Sequence, residues 1–126
     1  AADLMRAIDL PLQCDSIGVA SYRQRRSTGE LAFRSELKLA PEGRYILLAD
    51  EVLDSGITLR EVRRYFLDRG AAGVYTAVMI EKERPRPDGI ASADWYGFRT
   101  PDRYLVGYGL DADEEYRNLP YIAALD

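Results

Sequence analysis

The sequence predicts an α/β fold with a mostly parallel sheet flanked by helices. Two apolar runs typical of buried parallel strands, Tyr45–Ala49 and Gly73–Ile80, stand on either side of a segment with helical spacing, Thr58–Arg69. A strand, a helix and a second strand in this order indicate a right-handed crossover between two parallel strands. Alternation of this kind is typical of α/β proteins.

The chain ahead of this unit is less regular. Its first ten residues place apolar side chains at helical spacing, and Pro11 ends the predicted helix. No capping residue or initiator methionine precedes this helix, so we expect a further segment before Ala1. Residues Asp15–Tyr22 form a predicted short strand. The basic stretch that follows is interpreted as a hairpin or loop, with some strand near Leu31–Leu37.

Three more short strands are predicted toward the C-terminus, at Asp94–Phe98, Arg103–Val106 and Tyr121–Leu125. Gly70 ends the crossover helix. The sequence shows no internal repeat, low-complexity tract or domain boundary, and we therefore expect residues 1–126 to belong to a single domain.

Composition limits the classes of function. The 126 residues are 47% hydrophobic, enough for a core, and the net charge is −4 with a pI of about 4.9. An acidic balance argues against nucleic acid and membrane surfaces as partners. Cys14 is the single cysteine, which excludes an intrachain disulfide and predicts a reducing, cytoplasmic location. We interpret Cys14 as a small core residue and not as a catalytic thiol.

The sequence contains no histidine, which removes Ser-His-Asp and Cys-His catalysis and the commonest zinc sites. A metal ion in this chain would therefore be a hard cation held by oxygen atoms, and Mg²⁺ is the expected one. No apolar run approaches the length of a membrane span.

A predicted strand ends in three carboxylates, Asp50, Glu51 and Asp54. Ligands of open α/β sheets bind beyond the carboxyl ends of the strands. The turn DSGIT, residues 54–58, offers backbone amides and two hydroxyls at a helix N-terminus, which suits phosphate. Carboxylates beside a phosphate site suit a ribose phosphate, because they accept hydrogen bonds from ribose hydroxyls and stabilise positive charge on the ring.

Other interpretations of the acidic strand end remain open on pattern alone. It could be a solvated sheet edge. It also looks like the acidic strand of a nucleoside triphosphatase, but the GxxxxGK[ST] loop that such a site requires is absent. Phospho-accepting signalling domains use similar strand ends, without a phosphate cradle two residues later.

Three segments resemble one family. LLADEVLDSGITL, residues 47–59, resembles the phosphoribosyl-diphosphate loop of the type I phosphoribosyltransferases. RYLVGYGLDADEEYRNLPYIAAL, residues 103–125, resembles the C-terminal portion of hypoxanthine-guanine phosphoribosyltransferases. ADLMRAIDLPLQCDSIGVASY, residues 2–22, is similar to the helix–strand segment of bacterial members. The resemblance covers essentially the whole chain.

The resemblance implies a type I phosphoribosyltransferase fold and a purine-salvage reaction. The 5-phosphoribosyl group of phosphoribosyl diphosphate is transferred, with Mg²⁺, to N9 of hypoxanthine or guanine, giving IMP or GMP and diphosphate. It also implies a homodimer or homotetramer. Two alternatives remain: a preference for xanthine, and a catalytically idle, nucleotide-sensing RNA regulator on the same fold. The acidic net charge weighs against the regulator.

Site residues follow from the resemblance. Asp50 and Glu51 are expected to hold the ribose 2′- and 3′-hydroxyls, although the usual order in the family is Glu-Asp. Asp54 is expected near purine N7 as a general base, with a helix-capping role as its alternative. The residues expected to form the 5′-phosphate cradle are Leu53, Ser55, Gly56, Ile57 and Thr58, together with Asp54.

The purine and the diphosphate have their own expected partners. Lys82 is expected to read the 6-oxo group, Tyr104 to stack on the base, and the Leu105 carbonyl to meet the 2-position substituent. Asp111 is expected near the diphosphate magnesium and among the purine-binding residues, and Arg117 is expected to contact the diphosphate. The expected magnesium ligands are Asp50, Glu51 and Asp111.

The resemblance also places Ser21 and Tyr22 on a mobile loop that closes over the reaction and excludes water. The basic stretch RQRRSTGE, residues 23–30, differs from the shorter and less basic stretch of bacterial members. The family has an earlier strand and a short loop that grips the diphosphate. Nothing in this sequence supplies that loop, which strengthens the expectation of a segment before Ala1.

Overall fold

A computed structural model describes residues 1–19 and 37–125. Its helices and strands are α1 Ala2–Ala7, β1 Tyr45–Leu53, α2 Ile57–Asp68, β2 Gly73–Glu83, β3 Trp95–Pro101, β4 Tyr104–Val106 and β5 Ala123–Leu125. The predicted strand–helix–strand unit is thus confirmed, and α2 lies one residue from its predicted bounds at each end. All three C-terminal strands are present.

Strands β1, β2 and β3 form one parallel sheet with β2 in the centre. Tyr45 lies beside Gly73 at one end of the β1–β2 ladder, and Leu53 lies beside Glu81 at the other. Strands β4 and β5 pair antiparallel in a separate two-stranded sheet. The mostly parallel α/β fold is therefore confirmed. The register brings the carboxyl ends of β1 and β2 to the same edge.

Helix α2 closes one face of the parallel sheet. Its apolar residues Leu59, Val62 and Phe66 recur at helical spacing and are all buried. They pack in one cluster with side chains of β1 and β2, which include Leu48 and Val78. Full burial of side chains of this size stabilises a fold by about 1.5–3 kcal/mol each. This packing fixes the end of β1 against the start of α2.

The opposite face of the sheet differs from the prediction. Burial on both faces was expected for the first two strands, but Leu47 and Tyr75 are exposed, and Trp95 on β3 is 58% exposed. The prediction is wrong for this face among the described residues. The physical reason is that α2 packs on one side only, and no other helix of residues 1–19 and 37–125 covers the apolar residues that alternate to the other side.

The N-terminal helix is shorter than predicted. Helix α1 ends at Ala7, because Ile8 already has an extended backbone with φ −85° and ψ 113°. The residues up to Pro11 are not helical, and Leu10 is 73% exposed. Cys14 is also exposed, so its interpretation as a core residue is wrong. It lies on an irregular segment whose side chains at positions 12–14 are exposed, while Ile17 further along packs against the core.

Residues 15–18 do not form the predicted strand. The Asp15 carboxylate instead accepts hydrogen bonds from the backbone amides of Ser16, Lys38 and Leu39, at 2.9, 2.7 and 3.1 Å. An aspartate that binds backbone amides in this way competes with sheet pairing. The rest of that predicted strand, from residue 20, and the hairpin up to residue 36 lie outside the described residues. No helix in the described part is long and apolar enough to cross a membrane.

Candidate active site

Strand β1 continues through the acidic pair. Asp50 pairs with Val78, and the ladder runs on to Leu53, so the two acids lie within the strand and not beyond its end. The Glu51 amide donates to the Asp50 carboxylate at 2.8 Å. Asp50 keeps an exposed surface, yet the protein atoms around its carboxyl desolvate it and raise its pKa. The sheet therefore holds the backbone of both acids in place.

The residues of the predicted phosphate cradle come directly after the acidic pair in the chain. Gly56 is the N-cap of α2 in a left-handed conformation with φ +73°, and this glycine offers no side-chain cap to the helix. Ser55 and Thr58 are exposed, and the Ser55 hydroxyl oxygen accepts from the Ile57 amide at 3.4 Å. A helix start with a glycine N-cap and two exposed hydroxyls presents donors to an anion. The alternative role of Asp54 as a helix cap is wrong.

Asp54 instead faces Lys82 at the end of β2. The Lys82 Nζ lies 3.2 Å from Asp54 Oδ2, and the lysine side chain is only 11% exposed. Desolvation is the largest single influence on the pKa of Asp54 and raises it. Hydrogen bonds from Lys82 and Arg84, together with their charges, outweigh desolvation and lower that pKa below 3.8. Asp54 is therefore an ionised carboxylate at neutral pH.

Two residues that the sequence did not single out complete this group. Arg84 Nη1 lies 2.6 Å from Asp54 Oδ1, and Asp102, which follows β3, lies 3.5 Å from both Lys82 Nζ and Arg84 Nη1. Each cation thus contacts both carboxylates. The basic cluster from Lys82 to Arg86 was visible in the sequence, but nothing in the pattern indicated its partners.

A cavity of about 190 Å³ opens beside this group. The predicted site residues that line it come from the turn after β1, from β2 and β4, and from the segment that follows β4. They are Asp54, Lys82, Tyr104, Leu105 and Asp111, and Val52 and Leu110 complete the wall. The wall of the cavity thus combines the charged side chains of Asp54, Lys82 and Asp111 with apolar and aromatic ones, which suits a flat heterocycle with polar edges.

Side chains of the segment after β4 form hydrogen bonds and ion pairs with one another. The Tyr104 hydroxyl donates to the Asp111 carbonyl at 3.2 Å, and Arg117 Nη2 lies 3.1 Å from Asp111 Oδ1. Arg117 also pairs with Glu114 at 2.8 Å. The hydrogen bond to Glu114 is the main cause that raises the pKa of Arg117, and the charge of Glu51 is a smaller one.

The same segment holds several non-glycine residues in the left-handed region. They are Tyr108, Asp113, Glu114 and Tyr116, with φ between 51° and 72°. Residues in such conformations cost of order 1–3 kcal/mol each and cluster at ligand sites. No sequence pattern predicted them.

The expected metal ligands do not form a protein-only site. The described residues contain no group of three or more Asp, Glu, His or Cys side chains that could hold a metal ion. Mg²⁺ is usually held by one or two carboxylates together with substrate phosphates. The carboxylates of Asp50, Glu51 and Asp111 fit that pattern only with a phosphorylated ligand present. Ser21, Tyr22 and the basic stretch 23–30 lie outside the described residues.

Gly89, on the β2–β3 connection, lies directly behind the cradle. A Cβ atom at this position would lie 2.1 Å from the Ser55 carbonyl oxygen and 2.8 Å from Gly56 Cα. We expect Gly89→Ala to push the cradle out of place and weaken ribose 5-phosphate binding about tenfold, since overpacking of this kind costs about 1–3 kcal/mol. Calorimetric titration of both proteins with ribose 5-phosphate measures the change.

Gly43→Ala is the matched control. Gly43 has a positive φ, +70°, so a side chain there strains the backbone, but a Cβ there meets no atom within 4 Å. This variant should lower the unfolding temperature without changing ribose 5-phosphate affinity. Equal affinities for Gly89→Ala and the wild type would mean that the cradle does not bind the phosphate.

Comparison with known proteins gives a consistent result. A family model described as the phosphoribosyl transferase domain matches residues 1–112. The hypoxanthine-guanine phosphoribosyltransferase of Bacillus subtilis is 41% identical over 125 residues, which cover 98% of this chain and 69% of that enzyme. The hypoxanthine-guanine-xanthine phosphoribosyltransferase of Tritrichomonas foetus is 32% identical over 123 residues, which cover 98% of this chain and 67% of that enzyme.

Solved structures agree with the sequence relatives. A crystal structure of a hypoxanthine phosphoribosyltransferase from Staphylococcus aureus superposes with a TM-score of 0.87 at 33% identity. The superposition covers 99% of this chain and 68% of that one. A hypoxanthine phosphoribosyltransferase from Trypanosoma cruzi superposes with a TM-score of 0.88 at 29% identity, over 99% of this chain and 68% of that one.

Proposed function

This chain belongs to the phosphoribosyltransferase family, and on that premise we propose that it transfers a 5-phosphoribosyl group to a 6-oxopurine. The donor is phosphoribosyl diphosphate, the acceptor atom is N9 of hypoxanthine or guanine, and the products are IMP or GMP and diphosphate. The relatives named for hypoxanthine and guanine support this assignment.

The position of Lys82 is the observation that carries the choice of base. Its Nζ lies in the cavity wall, 3.2 Å from Asp54 and 3.5 Å from Asp102, with the side chain largely buried. An ammonium group has three donors; one forms the hydrogen bond to Asp54, and Asp102 lies within ion-pair distance. A donor remains for an acceptor such as the 6-oxo group of a purine. The amino group of adenine presents a donor at that position and is rejected.

The proposed reaction follows from the order of groups along the sheet edge where β1 and β2 end. The α2 cradle binds the 5′-phosphate, and Asp50 and Glu51 accept hydrogen bonds from the ribose hydroxyls. As the bond from C1′ to diphosphate breaks and the bond to purine N9 forms, the ribose gains positive charge. The carboxylates next to it stabilise that charge. Asp54, ionised and beside Lys82, accepts the proton that the purine loses.

Mg²⁺ is the proposed metal ion, bound with the diphosphate. Asp50, Glu51 and Asp111 would supply hard oxygen ligands of the kind that this ion prefers, together with oxygens of the substrate phosphates. When bound, the ion neutralises the charge of the leaving diphosphate. Arg117, held by Asp111 and Glu114, adds a positive charge on the same side. Closure of a loop through Ser21 and Tyr22 over this site, and assembly as a homodimer or homotetramer, stay predictions.

The substrate assignment is tested with a panel of bases. The protein is mixed with Mg²⁺ and phosphoribosyl diphosphate and, in separate reactions, hypoxanthine, guanine, xanthine or adenine, and nucleotide formation is followed by absorbance. We expect product with hypoxanthine and guanine and none with adenine. Product with xanthine alone would shift the assignment to the xanthine-preferring alternative. No product with any base, together with salt-sensitive RNA binding, would contradict the enzyme assignment and favour the regulator.

A further inference from the structure

Arg86 binds the backbone in two parts of the site, at the 5′-phosphate cradle and at the base-reading Lys82. Its guanidinium donates through Nε to the Asp54 carbonyl at 2.8 Å and through Nη2 to the Leu53 carbonyl at 3.3 Å. Nη2 also donates to the carbonyl of Lys82, and Nη1 donates to the Ala91 carbonyl at 2.8 Å. One half-buried side chain thus contacts four backbone carbonyls.

Three of these carbonyls belong to residues of the two parts of the site that a bound substrate has to span. Leu53 is the last residue of β1, and Asp54 begins the cradle. Lys82 lies at the end of β2. Arginine presents five N–H donors in a rigid plane, whereas lysine has a single nitrogen on a flexible chain. Only the guanidinium can therefore hold three separate backbone segments at once.

The backbone around Arg86 also packs against the cradle. The Ile90 amide donates to the Gly56 carbonyl at 3.2 Å. A Cβ atom on Gly56 would lie 2.8 Å from the Ile90 carbonyl oxygen, and one on Gly89 would overlap Ser55. The connection between β2 and β3 therefore lies in direct contact with the outer side of the phosphate cradle.

The far end of this connection is anchored in the core. The Glu81 carboxylate is 4% exposed and accepts hydrogen bonds from the Ser92 hydroxyl at 3.0 Å and from the Ala93 amide at 3.1 Å. Asp94 accepts from the Thr76 amide at 2.8 Å and from its hydroxyl at 3.1 Å. Buried, satisfied polar contacts of this kind make a segment rigid. The connection that carries Arg86 is thus fixed to β2 by side chains of β2 itself.

We propose that Arg86 is a positioning residue that sets the separation between the 5′-phosphate cradle and the base-reading Lys82. This role rests on the proposed function, because it matters only if one substrate spans both places. Arg86 touches no substrate and acts through the carbonyls of Leu53, Asp54 and Lys82. Its loss lets the two halves of the site move relative to each other.

The test compares Arg86→Gln and Arg86→Lys with the wild type. A misplacement of about 1 Å can cost about 10²-fold in rate, so we expect kcat/KM to fall on the order of 10²-fold in Arg86→Gln. The KM values for phosphoribosyl diphosphate and for the purine should both rise, because each half loses the same support. The kcat/KM of Arg86→Lys should lie between those of the wild type and of Arg86→Gln, since lysine keeps the charge but lacks the planar guanidinium. Steady-state kinetics with both substrates varied give these values.

Arg64→Gln is the matched control, because Arg64 is 76% exposed on α2 and pairs only with Asp68 among the contacts of the described residues. It should keep wild-type kinetics. Circular dichroism and thermal unfolding check the fold of each variant. If both Arg86 variants fail to fold, or if folded Arg86→Gln keeps both KM values and kcat within twofold of the wild type, the positioning role is wrong.

A separate measurement keeps this proposal distinct from the proposed function. Ribose 5-phosphate binding needs the cradle but no catalysis. If the wild type forms no nucleotide, the proposed function fails, and calorimetry with ribose 5-phosphate then decides on Arg86. Weaker binding by folded Arg86→Gln would support its action on the cradle, and unchanged binding would overturn it.

Discussion

Asp54→Asn is expected to slow turnover by about 10²–10⁴-fold, the usual contribution of a single acid–base group. The Asp54 carboxylate is ionised and lies 3.2 Å from Lys82 Nζ, beside the cavity assigned to the purine. Asparagine has nearly the same shape and still accepts a hydrogen bond, but it does not take up a proton. The backbone of the cradle keeps its support from Arg86, so ribose 5-phosphate affinity should change little.

The measurement is kcat for the oxopurine reaction together with ribose 5-phosphate affinity by calorimetry. Asp68→Asn serves as the control, since Asp68 is 65% exposed and pairs only with Arg64 among the described contacts. It should retain both values. Full turnover by Asp54→Asn would mean that this carboxylate is not the proton acceptor.

The direction of the Asp54 pKa shift adds a pH dependence. Its pKa in the folded protein lies below 3.8, so its stabilising pairs with Lys82 and Arg84 are fully present above that pH. They are lost as the pH falls through the lowered pKa. The acid limb of kcat/KM that belongs to Asp54 should therefore lie below pH 3.8. Asp50, whose pKa is raised by desolvation, takes up its proton first on acidification.

The central unit of the fold was predictable because local periodicity determines it. Leu59, Val62 and Phe66 recur at helical spacing and are buried, and the apolar run before Asp50 forms β1. The placement of the cradle at the start of α2 followed from that order. Burial of both sheet faces could not be decided in the same way. Apolar residues on both faces show that each face could be covered, without showing that it is.

The contacts that align the site left no pattern in the sequence. Arg86 binds backbone carbonyls, which every residue has, so no partner residue identifies it. Arg84 and Asp102 meet only because β2 and β3 pair in a particular register. Asp54 and Lys82 are 28 positions apart, and the resemblance to a family assigned them separate roles without showing that they are hydrogen-bonded. Tertiary register, and not local composition, determines these pairs.

Lys82→Met is expected to lower kcat/KM for hypoxanthine roughly 10- to 150-fold, the equivalent of a lost charged hydrogen bond of about 1.5–3 kcal/mol. Methionine is unbranched and fills the space of the lysine stem, so the cavity beside Tyr104 and Leu105 should keep its shape. The donor that faces the 6-oxo group is gone, and the discrimination against adenine should fall with it.

Kinetics with hypoxanthine and adenine measure this change, and Lys38→Met on the exposed surface is the control. The Lys82 Nζ–Asp54 Oδ2 contact of 3.2 Å makes a further test possible. Residues in direct contact are not independent, so the Lys82→Met and Asp54→Asn effects should not add in the double variant. Additive losses would mean that the two residues act separately. Unchanged hypoxanthine kinetics with adenine still rejected would show that another group reads the base.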